Sequence, residues 1–267
     1  MGKRDLNGAV VLVTGAAGGL GLAIAQRFAR DGARIALLDV DADRLGAAAE
    51  TSPDALAVVC DLTDPVACTD AVADVVERFG GLDVLVNNAG MTHRSAFADT
   101  DPAVIRRVME INYLGSVNIT KAALPSLVER KGAIAVITSV AGFAPVLGRT
   151  GYVGSKHALH GLFDTLRSEL RGTGVDVTIV SPTFVSTSMQ DRALGGDGSV
   201  TDHPQSRVGK QVTPGAVADR IYRAIERRKR SVTIGAMGRI ARVMVAATPG
   251  LYERMMARSL RSELDRP

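Results

Sequence analysis

The chain has 267 residues, of which 46% are hydrophobic and 22% are charged, and its formal net charge is +4. This composition is typical of a soluble globular protein with ample length for a hydrophobic core. It contains no run of 18 apolar residues, which excludes a membrane-spanning helix, and no interleaving of basic and aromatic side chains, which argues against a nucleic-acid partner.

Short apolar runs alternate with helical patterns through the first half of the chain. The patterns predict strands over 9–14, 34–39, 55–60 and 82–86, and helices over 20–30, 41–50 and 64–79. Strands that are apolar on both faces and alternate with helices indicate a parallel sheet with right-handed crossovers. The predicted fold class is therefore α/β, a doubly wound parallel β-sheet flanked by helices.

The same alternation continues in the second half. Helices are predicted over 101–127, 151–171 and 217–230, and strands over 132–139, 175–181 and 231–234. Residues 186–213 are polar and glycine-rich, and a loop of that length is usually functional or disordered. No repeat or linker separates the halves, so we expect one domain over 1–235 and an extension over 236–267.

The N-terminus and the cysteines bear on where the protein resides. The N-terminus has no apolar signal core, and Cys60 and Cys68 match no metal or redox spacing. We expect two buried thiols in a reducing compartment, and hence a cytoplasmic protein.

A glycine-rich stretch, 14–21, lies between the first strand and the first helix. Gly15, Gly19 and Gly21 allow the backbone to turn tightly and approach a pyrophosphate at the helix N-terminus. Asp39 ends the second strand, where a carboxylate accepts hydrogen bonds from ribose hydroxyls and repels a 2′-phosphate. No Arg or Lys occupies 16–21 or directly follows Asp39, so the sequence predicts NAD rather than NADP.

Tyr152 and Lys156 are the strongest candidates for chemistry. At this spacing a helix places them one turn apart on one face. The positive charge of Lys156 is expected to lower the pKa of Tyr152, so that the phenol exchanges a proton with an alcohol or carbonyl near neutral pH. Ser139 ends an apolar strand, and its hydroxyl could hold the substrate oxygen beside the tyrosine.

These motifs, together with Asp61, the run 87–90 and Asn112, resemble the short-chain dehydrogenase/reductase family over about residues 7–235. The resemblance implies a Rossmann-type single domain and a catalytic tetrad of Asn112, Ser139, Tyr152 and Lys156. Asn112 would kink its helix and hold a water that reaches Lys156, which would also bond the nicotinamide ribose. The implied cofactor-binding residues are Gly15, Gly19, Leu20, Gly21, Asp39, Asp61, Leu62, Asn88, Ala89, Gly90, Tyr152, Lys156, Pro182, Val185 and Thr187. Thr183 departs from the family pattern, which usually has glycine there, and this puts the shape of the substrate side in question.

The predicted activity is hydride transfer between NAD and a lipophilic secondary alcohol or its ketone. The candidate substrate-binding residues are mostly apolar, which favours a lipophilic ligand: Met91, His93, Ala141, Phe143, Leu147, Phe184 and Met189. His93, in a loop, is expected to be solvated. His157 and His160 are spaced i, i+3 but have no apparent partner ligand, so no metal site is predicted.

Two other functions stay open at this point. One is an NADP-dependent carbonyl or 3-oxoacyl reductase with the same residues, against which Asp39 argues. The other is a non-catalytic protein that senses NAD(H), against which the intact tetrad argues.

The extension 236–267 reads as a basic amphipathic helix. Its apolar residues Tyr252, Met256, Leu260 and Leu264 follow at i, i+4 intervals, and arginines take other faces. It could act as a lid over the substrate mouth, as an oligomer contact, or as a contact with an anionic membrane surface. By family resemblance we expect a homodimer or homotetramer that uses the helices around 101–127 and 151–171.

Overall fold

The computed structural model describes residues 2–52, 54–201 and 209–264. The part of the predicted loop that spans 202–208 and the last residues of the predicted extension, 265–267, lie outside the described residues.

A single sheet organises the described residues. Its seven parallel strands follow the order β3-β2-β1-β4-β5-β6-β7. The strands are β1 (Val10–Thr14), β2 (Arg34–Asp39), β3 (Leu56–Val59), β4 (Val84–Asn87), β5 (Ala133–Ile137), β6 (Asp176–Pro182) and β7 (Ser231–Ile234). The order reverses between β1 and β4, and a crevice at the carboxyl ends of the strands is expected at that point. The predicted doubly wound fold is confirmed.

Helices cover both faces of the sheet. They are α1 (Gly19–Ala29), α2 (Ala42–Glu50), α3 (Pro65–Phe79), α4 (Pro102–Met109), α5 (Gly115–Glu129), α6 (Thr150–Glu169), α7 (Pro214–Glu226), α8 (Ala236–Ala247) and α9 (Pro249–Ser259). Successive residues of β1 serve opposite cores, because a strand points its side chains alternately to its two faces. Val11 and Val13 pack with Phe28 of α1, whereas Leu12 lies in the cluster that contains Phe163 of α6. This two-sided burial is why the strands read as continuous apolar runs.

The predicted helix over 101–127 is interrupted. A π-helical turn, Glu110–Leu114, joins α4 to α5. Such turns are rare and frequently mark functional sites. The one here carries Asn112, which is fully buried.

The extension begins directly after the last strand. Gly235 leads from β7 into α8. The helix ends at Ala247, and Thr248 separates it from α9. Tyr252 and Leu260 are buried, while Leu264 is exposed, so the predicted apolar stripe is only partly covered. No helix among the described residues is long and apolar enough to cross a membrane. Both cysteines are free and buried, as expected.

Candidate active site

A cavity of 1080 Å³ opens at the carboxyl edge of the sheet and spans the crevice between β1 and β4. All fifteen residues predicted to bind the cofactor line this cavity. Ser139 lines it as well, whereas Asn112 lies behind its wall. One continuous cavity of this size can hold a dinucleotide and a second, smaller ligand.

The glycine-rich turn forms one end of the cavity through its backbone. Gly15 and Gly19 have positive φ angles, 64° and 56°. A Cβ atom on Gly21 would lie 2.1 Å from the carbonyl oxygen of Gly15, so that position leaves no space for a side chain. Asn88 donates from Nδ2 to the carbonyls of Thr14 and Gly15 at 2.9 and 3.2 Å, which fixes the turn against β4.

Asp39 stands at the rim of the same end. Its carboxylate accepts hydrogen bonds from the backbone N–H of Ala17 at 3.0 Å and of Asp41 at 3.2 Å. Asp61, further along the rim, accepts from both the N–H and the hydroxyl of Thr63. These contacts hold two carboxylates in place at the edge of the cavity.

Arg44 also lines this end, and the sequence analysis missed it. A Cβ atom on Gly18 would lie 2.8 Å from Nη2 of Arg44, so the guanidinium crosses directly over the glycine-rich turn. The residue escaped notice because it lies five positions after Asp39, in the first turn of α2. Asp41 caps that helix by accepting from the N–H of Arg44 at 3.1 Å, which places the arginine beside the turn.

The residues at this end fit a nicotinamide dinucleotide. The turn offers a backbone cradle without side chains at the N-terminus of α1, where the helix dipole favours a pyrophosphate. A carboxylate suited to ribose hydroxyls stands at the end of the neighbouring strand β2.

The predicted tetrad is brought together at the middle of the cavity. Ser139 follows β5, lies beside the Tyr152 phenol and accepts from the N–H of Ala141 at 3.2 Å. Asn112 accepts from the N–H of Met91 at 2.8 Å and donates from Nδ2 to the hydroxyl of Ser155 at 2.9 Å. The π-helical turn therefore ties the loop after β4 to the helix that carries the tyrosine.

The expected effect of Lys156 on Tyr152 is wrong for this structure. The pKa of Tyr152 is raised, because burial penalises the phenolate; the hydroxyl of Ser139 and the charge of Arg149 act in the opposite direction. Lys156 directs its Nζ to the carbonyl oxygen of Ile137 at 2.9 Å, and Nζ lies 5.7 Å from the centroid of the tyrosine ring. Burial lowers the pKa of Lys156 to about 8.

The expectation that His93 is solvated is also wrong. The side chain is fully buried, and its Nε2 accepts a hydrogen bond from the N–H of Gly151 at 2.9 Å. That acceptor leaves the ring proton on Nδ1, which faces the hydroxyl of Ser95 at 3.3 Å. Burial, with the charge of Arg149 second, lowers the pKa of His93 to about 4. The neutral histidine caps the first turn of α6 and holds the catalytic helix.

The other predicted substrate residues divide into two groups. Met91, Ala141, Phe184 and Met189 line the cavity. Phe143 and Leu147 are half-buried outside the lining, as His93 is outside it. Phe143 packs instead against the extension, where the guanidinium carbon of Arg242 lies 4.6 Å from its ring centroid.

Thr183, the departure from the family pattern, is accommodated by glycines of the extension. Cβ atoms on Gly235 and Gly238 would lie 2.4 Å from Thr183 Oγ1 and 2.9 Å from its Cγ2. Two missing side chains thus make room for the added one. Thr183 still lines the cavity, so it contributes to its shape.

The extension supplies a large part of the wall on the substrate side. Its lining residues are Met237, Gly238, Ile240, Ala241, Met244, Tyr252, Met255, Met256, Ser259, Leu260 and Glu263. Tyr252 donates from its hydroxyl to the carbonyl of Pro145 at 3.4 Å, which joins α9 to the loop before the catalytic helix. The extension therefore forms part of the cavity wall, and its roles as a lid, an oligomer contact or a membrane-surface contact stay predictions.

Arg149 is a second residue that the sequence analysis missed. It lines the cavity and is only 5% exposed. Its spacing to Tyr152, three residues, is a signal that could have revealed it, because such neighbours meet on a helix.

The two paired histidines of α6 serve other contacts. His157 is exposed and lies 3.0 Å from the carbonyl of Val153, and Nε2 of His160 lies 3.2 Å from the hydroxyl of Thr138. The described residues contain no group of three or more His, Cys, Asp or Glu side chains that could hold a metal ion.

Comparison with known proteins identifies similar sequences over nearly the whole chain. A family model described as short chain dehydrogenase matches residues 9–195. The chain is 36% identical to dehydrogenase/reductase SDR family member 7B of Bos taurus, over 98% of this chain and 84% of that protein. It is 33% identical to dehydrogenase/reductase SDR family protein 7-like of Drosophila melanogaster, over 96% and 82%.

Solved structures show the same architecture. A short-chain dehydrogenase from Streptomyces avermitilis superposes with a TM-score of 0.82 at 27% identity, over 97% of this chain and 99% of that one. An alcohol dehydrogenase from Thermococcus sibiricus, complexed with 5-hydroxy-NADP, superposes with a TM-score of 0.73 at 26% identity, over 85% and 95%.

Proposed function

The chain belongs to the short-chain dehydrogenase/reductase family of nicotinamide-dinucleotide oxidoreductases, and from that premise we propose that it interconverts a lipophilic secondary alcohol and its ketone with NAD. The observation that carries the proposal is the position of Tyr152 and Ser139 in the wall of a cavity whose other end is the glycine cradle beside Asp39.

The residues divide the chemistry between them. The bound nicotinamide supplies or accepts the hydride. Ser139 holds the substrate oxygen through its hydroxyl, and Tyr152 gives or takes the proton at that oxygen. Lys156 has its ammonium within the same wall, where it can turn from the Ile137 carbonyl to a bound ribose. Asn112 keeps Met91 and the catalytic helix in register.

The preference for NAD rests on Asp39. A carboxylate at the end of β2 accepts from the ribose hydroxyls and repels a 2′-phosphate. A second candidate, an NADP-dependent carbonyl or 3-oxoacyl reductase, is favoured by one observation, the guanidinium of Arg44 over the glycine-rich turn. Asp39 lies at the end of β2, whereas Arg44 lies five residues further along the chain, in α2. We therefore propose NAD as the cofactor.

The lipophilic substrate follows from the wall that the extension provides. Methionines of α8 and α9, together with Phe184 and Met189, give the cavity a largely apolar lining on the substrate side. Assembly as a homodimer or homotetramer, a cytoplasmic location and a contact of the extension with a membrane surface stay predictions of the sequence.

A fluorescence titration of the purified protein with NADH and with NADPH tests the cofactor, followed by turnover of a panel of secondary alcohols and ketones. We expect tighter binding of NADH and turnover of lipophilic members of the panel. Asp39→Ala should narrow the difference in affinity between the two cofactors. Preference for NADPH would instead support the reductase, and NADH binding without any turnover would support the sensing role.

A further inference from the structure

We propose that Arg149 anchors an anionic group of the substrate, so that the substrate is an amphipathic alcohol or ketone with a carboxylate or phosphate near the reacting carbon. This inference rests on the proposed function, because it names the substrate class of the same site.

The position of Arg149 sets the geometry. It directly precedes α6 and stands three residues before Tyr152, and its charge acts on the Tyr152 phenol. Both line the cavity. An anion held by the guanidinium would therefore lie within a few bonds of the carbon whose oxygen faces the tyrosine.

The guanidinium of Arg149 makes few hydrogen bonds to the protein itself. Among the hydrogen bonds between described residues, its side chain makes one, from Nη1 to Oε1 of Gln190 at 3.4 Å. This is long for a hydrogen bond, and a guanidinium has five N–H donors. A buried cation is costly unless it is paired and hydrogen-bonded, so the remaining donors call for an acceptor in the cavity.

Other charged side chains lie near Arg149. Arg94 is also buried, and its Nη2 donates to the carbonyl of Gln190. Glu263, from the end of the extension, is the buried carboxylate whose charge acts on both arginines. Arg149 thus interacts electrostatically with a second buried guanidinium and a buried carboxylate.

A purely structural role explains Arg149 poorly. At the N-cap of a helix the preferred residues are Ser, Thr, Asp and Asn, whose side chains accept from the first N–H groups. Arg149 makes no such capping bond, and it places a cation at the positive end of the helix dipole. The missing capping bond and the cation at the N-terminus both destabilise the helix. Residues that destabilise the fold locally are expected at functional sites.

The rest of the cavity indicates what accompanies the anion. Three methionines of the extension, Met244, Met255 and Met256, line the same end. Arg106, Arg107 and Arg192 line the cavity but are exposed, where they can attract an anion before it binds. A ligand with an alkyl chain packed against the methionines and an anionic group bound by Arg149 would contact both the apolar and the basic residues of the cavity.

The test compares two substrates that differ only in charge, 3-hydroxydodecanoate and its methyl ester, with NAD. Wild-type kcat/KM should favour the acid by about 10- to 100-fold, the value of a charged hydrogen bond. Arg149→Gln should bring the ratio near one, and Arg149→Lys should give an intermediate ratio because it keeps the charge and loses the planar fork. Arg258→Gln, an exposed arginine of α9 outside the cavity lining, should leave the ratio unchanged.

A binding measurement separates this inference from the proposed function. Calorimetric titration of the protein with dodecanoate and with dodecyl phosphate should give affinities about tenfold weaker in Arg149→Gln, and the tighter of the two identifies carboxylate or phosphate. Equal turnover of acid and ester by the wild type, or an unchanged ratio in Arg149→Gln, would overturn the anion site and leave the oxidoreductase intact. Arg149-dependent binding of these anions without turnover of any alcohol would contradict the activity and retain the site. If Arg149→Gln fails to fold, Arg149→Lys and the wild-type ratio still decide the question.

Discussion

The two ends of the cavity are built in different ways. The cofactor end is formed by backbone: a turn of glycines between β1 and α1, held by Asn88, which directly follows β4. The substrate end is formed by side chains, many of them contributed by an extension that returns to the site from the end of the chain. A binding site formed by backbone tolerates few substitutions, whereas a cavity wall formed by side chains can change one residue at a time. We therefore expect variants at the two ends to affect different measurements, and the four below are ordered from the largest effect to the smallest.

Tyr152→Phe should give the largest effect, and it should be confined to chemistry. Loss of the hydroxyl removes the proton donor and acceptor, so kcat should fall by about 10³-fold. Titration with NADH should give a dissociation constant within about twofold of the wild type, because the ring remains. Turnover close to the wild-type rate would contradict the assignment of Tyr152.

Gly21→Ala should disrupt the cofactor end. Its added Cβ meets the carbonyl oxygen of Gly15 at 2.1 Å, and the turn must shift. Overpacking of this kind costs about 1–3 kcal/mol, so NADH should bind about 10- to 100-fold more weakly. Gly46→Ala, in α2 with open space around it, is the matched control and should leave NADH binding unchanged. Equal cofactor affinity in both variants would show that the cradle tolerates a side chain.

His93→Gln should make the free energy of unfolding less sensitive to acid. The folded pKa of His93, about 4, lies below its ordinary value of 6.5, so the unfolded chain binds a proton first as the pH falls. Its contribution to stability is complete above about pH 6.5 and declines down to about pH 4, with a loss of about 2 kcal/mol between pH 7.5 and 5. Urea unfolding at these two pH values should show the pH dependence reduced by that amount in His93→Gln. His157→Gln, an exposed histidine of α6, should retain the wild-type pH dependence.

Tyr252→Ala should give the smallest effect, and only at the substrate end. It removes a buried side chain of α9 that lines the cavity. We expect KM for a lipophilic substrate to rise about tenfold, the value of one to two buried methylene groups, with NADH affinity unchanged. Leu251→Ala, the exposed neighbour outside the lining, is the control. A change in NADH affinity would mean that the two ends are not independent.

The sequence predicted the sheet and the cofactor end well because their signals are local. Each strand is a short apolar run, and the turn at Gly15 and Gly21 lies between adjacent elements. The tetrad was predictable because its spacing along the chain is that of the family.

The rest depends on contacts between distant segments. The burial of His93 follows from its bond to Gly151, 58 positions away, and a loop pattern does not indicate it. The position of α9 in the cavity wall follows from the packing of Tyr252 with Ala144 and Ala241, which the periodicity of the extension does not indicate. The pKa of Tyr152 depends on burial and on Arg149, neither of which follows from its spacing to Lys156.

The junction at Gly235 has a consequence for the substrate range. Because all seven strands run the same way, β7 ends at the edge where the cavity opens, and a single glycine carries the chain from the sheet into α8. Residues added or exchanged beyond this point reach the substrate without passing through the sheet or the glycine cradle. Changes in the segment after β7 can therefore alter the substrate range while the cofactor end stays as it is.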